Sequence, residues 1–566
     1  MEFTCQLTAA FRLDVPKEYT NMNLKILLIM VFPIFVASCS DGENINENNI
    51  HQHVKELSSD EFEGREPGTP GGELTKQYIT KSFISSGLEP IQEDFLLEVP
   101  LSKMEVNLQR SFLKFNKGND EKVLVPGEET VFWSKRVKEE IEVKESEVLF
   151  IGYGIVSPEY NWNDYEGIDV KGKTLIALIN DPGFKTQDPY LFNGNAMTYY
   201  GRWVYRFEEA ARQGAEALII IHETEPASYP WKVVQNSWSG KQIDLKRPNL
   251  GMDRIKVEGW ITNEIAEELF NQAGLDLDQM KKEALKRSFK PVPLKGVEMN
   301  AKLSNNLSFS ISHNVAGLKV GSKNPEEYVL MIAHWDHLGK RESHSPSNDQ
   351  IYNGAVDNAT GVAGILELAN SFKDETLDRS LLFLAVTAEE SGLLGSQYFG
   401  EYPPIELANI VAGYNFDGVL PIGKTKDVVV VGFGASQLED ILEEELSKLD
   451  MYITPDPAPE KGFFYRSDHI SFAKKGVPML YADGGVHMYD EGLEAGISIS
   501  GDYTKYHYHQ PSDEYQESWD LSGFREHLEI TRKMVNRLAN SGEWPEWYEG
   551  NEFKAIRDES RKEKSD

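Results

Sequence analysis

The sequence predicts an α/β fold: a mixed, mostly parallel sheet flanked by helices and carrying a β-rich insertion. Three observations lead there. From about residue 310 to 540, continuous apolar runs alternate with helical patterns, as in a βαβ sheet buried on both faces. From about 100 to 295 the texture changes to strand-like runs separated by loops rich in Tyr, Trp, Gly and Pro, which reads as an accessory β-rich segment. Several acid- and histidine-bearing segments fall where the apolar runs of the first region stop. In an open α/β sheet those carboxyl ends line the ligand crevice.

The elements follow in order. Residues 40–50, rich in Asn and Glu, read as a tether. A short helix ends near Phe62-Glu63-Gly64-Arg65. After the turn Pro67-Gly68-Thr69-Pro70-Gly71, a second helix through Leu74, Tyr78, Ile79 and Phe83 stops at Gly87. Within the insertion, residues 148–151, 174–179 and 217–221 read as strands, and 203–213 as a helix. Beyond it, strands are expected at 328–333, 381–386, 409–416 and 428–431, and helices at 361–372, 436–449 and 523–539. The resulting division is an N-terminal extension (1–39), a tether (40–50), a first part of the main domain (51–100), the β-rich insertion (101–295), the rest of the main domain (296–542) and a loose, charged tail (543–566).

With 566 residues, 40% of them hydrophobic and 26% charged, the chain can bury a large core across two or three domains. Its formal net charge of −33 argues against nucleic acid as a partner, because phosphate binding needs clustered Lys and Arg. Cys5 and Cys39 are its only cysteines. A metal site must therefore use His, Asp and Glu, which excludes Cys-rich zinc and iron–sulfur centres.

Five segments carry the chemistry: Ala333-His334-Trp335-Asp336-His337, Gly354-Ala355-Val356-Asp357-Asn358, Thr387-Ala388-Glu389-Glu390, Asn415-Phe416-Asp417 and Tyr508-His509-Gln510-Pro511-Ser512-Asp513. His334 is delivered by a buried strand, and Asp336 is placed to accept its other ring N–H and fix the tautomer. Asp357 stands where a helix begins, either as a helix-start acid or as a bridge between two cations. Beside metals, adjacent Glu389 and Glu390 divide ligation from general-base work. Taken singly, each segment has an ordinary structural explanation. Together they supply enough N and O donors for two zinc ions sharing one carboxylate.

In this order the segments resemble the di-zinc aminopeptidase family of clan MH, a zinc-exopeptidase fold, over about residues 57 to 539. Phe62-Glu63-Gly64-Arg65, Arg466-Ser467-Asp468-His469 and Gly476-Val477-Pro478 add to the likeness. Gly152-Tyr153-Gly154 and Asp164-Tyr165 resemble the protease-associated (PA) domain that many members carry as an insertion. The resemblance implies that His334 and Asp417 hold one zinc, Glu390 and His509 the other, and Asp357 bridges them. It also implies Glu389 as general base to a water shared by the two ions, a cis Asp357-Asn358 bond, and Tyr508 or its neighbour Tyr506 as donor to the oxyanion. Arg466, Ser467, Asp468 and His469 are expected to line the substrate pocket. The departures are peripheral: Trp335 fills the variable place in His-x-Asp, and the loop from Gly484 to His507 is long.

Met22-Asn23-Leu24-Lys25 followed by the apolar residues 26–37 resembles a secretory signal whose translation starts at Met22, and Val36-Ala37-Ser38-Cys39 resembles a lipoprotein lipobox. That implies lipidation of Cys39, membrane contact through the lipidated N-terminus only, and residence in the bacterial envelope at the outer membrane. Ser40-Asp41-Gly42-Glu43 resembles the acidic stretch of surface-exported lipoproteins.

The expected function is therefore zinc-dependent release of N-terminal residues from a peptide or oligopeptide. Three alternatives stay open at this point. A carboxypeptidase or dipeptidase on the same scaffold would use Arg466 for a substrate carboxylate. Glutaminyl cyclisation would use one zinc, and a non-catalytic receptor would need no base.

Overall fold

The computed structural model describes residues 44–238, 240–341 and 349–565. The signal, Cys39 and the start of the expected tether lie outside the described residues. Among those described, no helix is long and apolar enough to cross a membrane.

Two sheets share one strand. Val292–Lys319 runs for 28 residues. Its first half pairs antiparallel with Phe112–Lys117 and Glu140–Phe150, and its second half with Leu96–Val106 and Arg379–Val386. The expected boundary at 295/296 thus falls inside a strand, not in a linker. The alternation slips by one residue at Lys295 and Gly296, both exposed, where the pairing with Glu140–Phe150 shifts register. It then resumes through buried Val297, Met299, Ala301 and Leu303, so the junction is an irregularity within one strand. Exchange also runs the other way: Lys241–Leu245, within the insertion, pairs with Leu96–Val106 of the main sheet.

The main sheet is parallel at its centre and antiparallel at one side. Asn324–His334 lies between Arg379–Val386 and Ile410–Asn415, and Met479–Asp483 follows, all parallel. Val329, Met331 and Ala333 enter one apolar core while Leu330 and Ile332 enter another, which is why this strand reads as unbroken hydrophobic sequence. Helices Glu47–Leu57, Pro70–Ser85, Gly361–Ser371 and Ser522–Asn540 supply one of those cores through Ile50, Val54, Ile79, Phe83, Val362, Ile365, Phe524 and Leu528. Register does the positioning. His334 sits opposite Val386 and Ile332 opposite Asn415, so three strand ends emerge nearly level.

Three expectations are corrected. The described part of the tether is packed: Ile45 is buried, its N–H donates to Glu529, and the N–H of Asn46 donates to Glu367. Asn46 also caps the helix that starts at Glu47, whose buried Ile50, Val54 and Leu57 repeat at helical spacing beneath a polar composition. The tail is also docked. Trp547 and Phe553 are buried, and the Arg557 guanidinium donates to the carbonyls of Ile410 and Val411 at the start of a central strand. The two apolar anchors lie just before the charged helix Lys554–Ser565, which Arg557 ties down from within. Finally, the long loop before His509 contains a helix, Gly492–Tyr506. Of its residues only Gly496 is buried, which leaves little hydrophobic periodicity to read.

Candidate metal centre

The sheet register alone brings the first pair together: His334 Nε2 lies 3.2 Å from Asp417 Oδ1. The same nitrogen is 3.2 Å from Asp357 Oδ1, and the other oxygen of Asp357 is 3.2 Å from His509 Nε2. His509 Nε2 is in turn 3.1 Å from Glu390 Oε2. All five expected ligands therefore converge, with Asp357 presenting one oxygen to each histidine.

Asp357 is held there from its own backbone. The Asp357-Asn358 peptide bond is cis. The N–H groups of Val356 and Asp357 donate to the two oxygens of Asp513 at 3.0 and 3.1 Å. The Asn358 side chain donates to the Phe416 carbonyl and accepts from Gly361 and Gly418, so it ties this loop to the strand end bearing Asp417. Gly354 turns at φ +54°, where a Cβ would stand 2.1 Å from the Asp357 carbonyl oxygen and 2.5 Å from the His337 ring. No side chain fits there.

The Gly64-Arg65 motif acquires a physical role. Arg65 is buried, and its guanidinium donates to the carbonyls of Leu57, Trp335, Asn353 and Gly354. One cation thereby locks the segment that follows His334 to the segment that precedes Asp357. Burial lowers its pKa to about 10, so it stays charged at neutral pH.

Asp336 does not do what its spacing predicted. His334 Nδ1–H donates to the backbone carbonyl of Asp336 at 3.0 Å, while the Asp336 carboxylate accepts the backbone N–H of Glu389 at 3.1 Å. The tautomer is fixed all the same, since Nδ1 carries the proton and Nε2 faces the acids. The tight turn after the strand brings the Asp336 carbonyl to the ring and leaves its carboxylate to position Glu389.

His337 was given no role from the sequence. It is buried, its Nδ1 lies 2.5 Å from Glu390 Oε1, and it groups with Asp357 and Glu390 closely enough to hold a cation. His337 and His509 thus approach Glu390 through different oxygens. Its Nε2 is buried without a hydrogen-bond partner. The signal was present: His334 and His337 both lie in the short stretch leaving one strand end.

The cluster is strongly anionic. Burial opposes charging of His334, yet Asp417, Glu389 and Asp357 raise its pKa well above the ordinary value. His509 is pushed up to about 10 against burial, by Glu390 and Asp357. Glu390 is held at about 2, where the histidine contacts outweigh burial. Glu389 forms no ion pair among the described residues, and burial, reinforced by Glu390 and Asp417, raises its carboxyl well above the usual range. Burial likewise carries Asp336 and Asp468 to about 7. An N/O donor set with this excess of acid suits divalent cations, which would reverse the sign of the local field.

The remaining candidates divide. The Ser467 hydroxyl donates to Asp417 Oδ2 at 2.6 Å and accepts from Asn415, so it orients that carboxylate. Asp468 is buried with both carboxylate oxygens unpartnered. His469 is buried between Phe464 and Tyr481, is kept neutral by burial with its pKa near 3, and makes no polar contact with the cluster. It is a packing residue, not a pocket residue. The ring of Tyr508 stacks on His509 with centroids 3.9 Å apart. Desolvation, then the charges of Asp357, Glu390, Glu389 and Asp417, push its phenol well above the ordinary value, so it remains a donor. Tyr506 is exposed.

Residues 314–535 match the family model of Peptidase family M28. A "Probable zinc metalloprotease" of Pyrenophora tritici-repentis is 37% identical over 110 residues, 19% of this chain and 24% of that protein. "Aminopeptidase YwaD" of Bacillus subtilis is 33% identical over 111 residues, 19% of this chain and 22% of that protein. The chain thus spans about a quarter of the length of the curated relatives it matches. Among solved structures, an aminopeptidase from Aneurinibacillus sp. strain AM-1 aligns with 19% identity and a TM-score of 0.48, covering 89% of this chain and 96% of that one. The matched span, residues 314–535, contains all five of the clustered side chains His334, Asp357, Glu390, Asp417 and His509.

Proposed function

We propose that this chain is a zinc exopeptidase, most specifically an aminopeptidase with two zinc ions, and that Cys39 anchors it by lipid in a bacterial envelope. The observation that carries the reading is Asp357, whose two carboxylate oxygens face two separate histidine–acid sets. His334 and Asp417 would hold one ion, Glu390 and His509 the other, with His337 beside Glu390. Bound there, zinc would supply Lewis acidity and make water acidic enough to lose a proton near neutral pH. The chain's own groups do the rest. Glu389, held by its backbone to Asp336, takes a proton from the attacking water and returns it to the leaving amine. Tyr508 donates to the developing oxyanion. The segment 101–295 is assigned as a PA-like domain on the sequence motifs quoted above.

The test is hydrolysis of a peptide panel by the zinc-loaded protein. Peptides with a free N-terminus are cleaved and their N-acetylated counterparts are not; equal cleavage of both rules out an aminopeptidase. His337→Ala is expected to weaken zinc retention by roughly 10- to 100-fold, read as the chelator concentration that removes half the metal. An unchanged value removes His337 from the site. Lipidation is read by mass spectrometry of the mature N-terminus, where an unmodified Cys39 excludes the anchor.

A further inference from the structure

In a chain with 91 acids against 58 Lys and Arg, every cation near the crevice should find a carboxylate. Two do not. Arg466 follows the short helical turn Phe463–Tyr465, and Arg202 immediately precedes the helix Trp203–Arg212 of the insertion. Arg466 Nε and Nη2 and Arg202 Nε are buried from water with no hydrogen-bond partner, and neither guanidinium forms an ion pair among the described residues. A buried N–H without a partner is costly, the more so when the group is charged, so such donors mark a place for an acceptor.

The two arginines are neighbours across a built junction. The Met197 N–H donates to the Pro459 carbonyl at 3.1 Å, and the Asn195 side chain donates to Glu460. Gly462, at φ +61°, accommodates Met197, whose sulfur would lie 2.6 Å from a Cβ there. The rings of Tyr199 and Tyr465, three residues and one residue from these arginines, lie 6.0 Å apart across the junction, and after burial the positive charge of Arg466 depresses the Arg202 guanidinium. The acids of this junction have other partners: Glu208 takes Lys474 and the Tyr199 hydroxyl, and Glu552 takes the Tyr465 hydroxyl. Arg466 is half-buried over the Phe463 ring at 5.4 Å. It is bonded in sequence to Ser467, whose hydroxyl holds Asp417, and its charge reaches Tyr508, the ring stacked on His509. Arg466 therefore borders the metal centre, and Arg202 lies on the insertion's side of the same junction.

Resting on the peptidase reading and deepening it, we propose that Arg202 and Arg466 form a carboxylate-binding site for the substrate, so that peptides bearing a carboxylate are preferred. A guanidinium fork matches a carboxylate in shape and charge, and two of them, one supplied by the insertion, give the insertion a direct part in recognition. The carboxylate is either the free C-terminus of a short peptide or an Asp or Glu side chain.

The test separates binding from turnover. The zinc-loaded Glu389→Gln protein is titrated calorimetrically with Ala-Ala-Ala against Ala-Ala-Ala-amide, and with Ala-Glu-Ala-amide against Ala-Gln-Ala-amide. At least one charged member is expected to bind about 10- to 100-fold more tightly than its neutral counterpart. Adding Arg202→Gln or Arg466→Gln is expected to bring that ratio close to one, while the Lys variants keep part of it. The first pair reports a C-terminal carboxylate and the second a side-chain one. Equal binding within both pairs, or a ratio that survives both Gln variants, overturns the site. If the wild-type protein cleaves no peptide, the peptidase reading falls, and the binding ratio still decides the carboxylate site by itself.

Discussion

Glu389→Gln is expected to lower kcat by roughly 100- to 10,000-fold while zinc content stays at the wild-type level. The two effects separate because, on the proposed reading, Glu389 stands beside the ligands without being one. It makes no ion pair with either histidine, and its backbone N–H is held by Asp336 at 3.1 Å. Glutamine keeps the volume and that backbone bond but cannot take a proton. The paired measurements are steady-state hydrolysis of an unblocked peptide and metal analysis of the same sample. Loss of zinc along with activity would reassign Glu389 as a ligand, and full retention of activity would remove the proton-transfer role. Asp357→Ala provides the contrast, because removing the shared carboxylate should release metal as well as abolish turnover.

Arg65→Met is expected to lower the free energy of unfolding by roughly 3–5 kcal/mol, read from the shift in the denaturant midpoint. The side chain is nearly isosteric along its stem, so the loss isolates the guanidinium. Four backbone carbonyls, those of Leu57, Trp335, Asn353 and Gly354, would lose their donor in a place where water cannot replace it. Because Trp335 follows His334 and Gly354 begins the turn to Asp357, the same variant should also weaken zinc binding. A midpoint within experimental scatter of wild type would show that the arginine neither ties nor supports the centre.

The parallel centre of the sheet was legible in the chain because strands buried on both faces must be apolar throughout, as residues 328–333 and 381–386 are. Four of the five clustered side chains, His334, Asp357, Glu390 and Asp417, were legible because each stands beyond such a run or at a helix start, where the side chain leaves the core. His509 follows the helix Gly492–Tyr506 and was legible only from the order of the segments. Elements built on sparse anchors were harder to read. The helix at Glu47–Leu57 hides three buried residues in a polar string, and the tail holds only Trp547 and Phe553 against its charge. The division of the chain into domains failed at residue 295 for a related reason: a strand that serves two sheets carries no composition shift at the point where it passes between them.

By itself, then, the sequence determined the fold class, the order of the ligand-bearing segments and the kind of donor available, since periodicity, residue type and the absence of usable cysteines are local properties. Tertiary structure alone decided the partnerships. It turned the Asp336 carboxylate toward the backbone of Glu389, brought His337 to Glu390, buried His469 among aromatic rings, and joined the segment of the insertion before Arg202 to the segment before Arg466. Which atom meets which depends on strand register and on how two packed surfaces close over one another, and neither quantity is carried by any short stretch of chain.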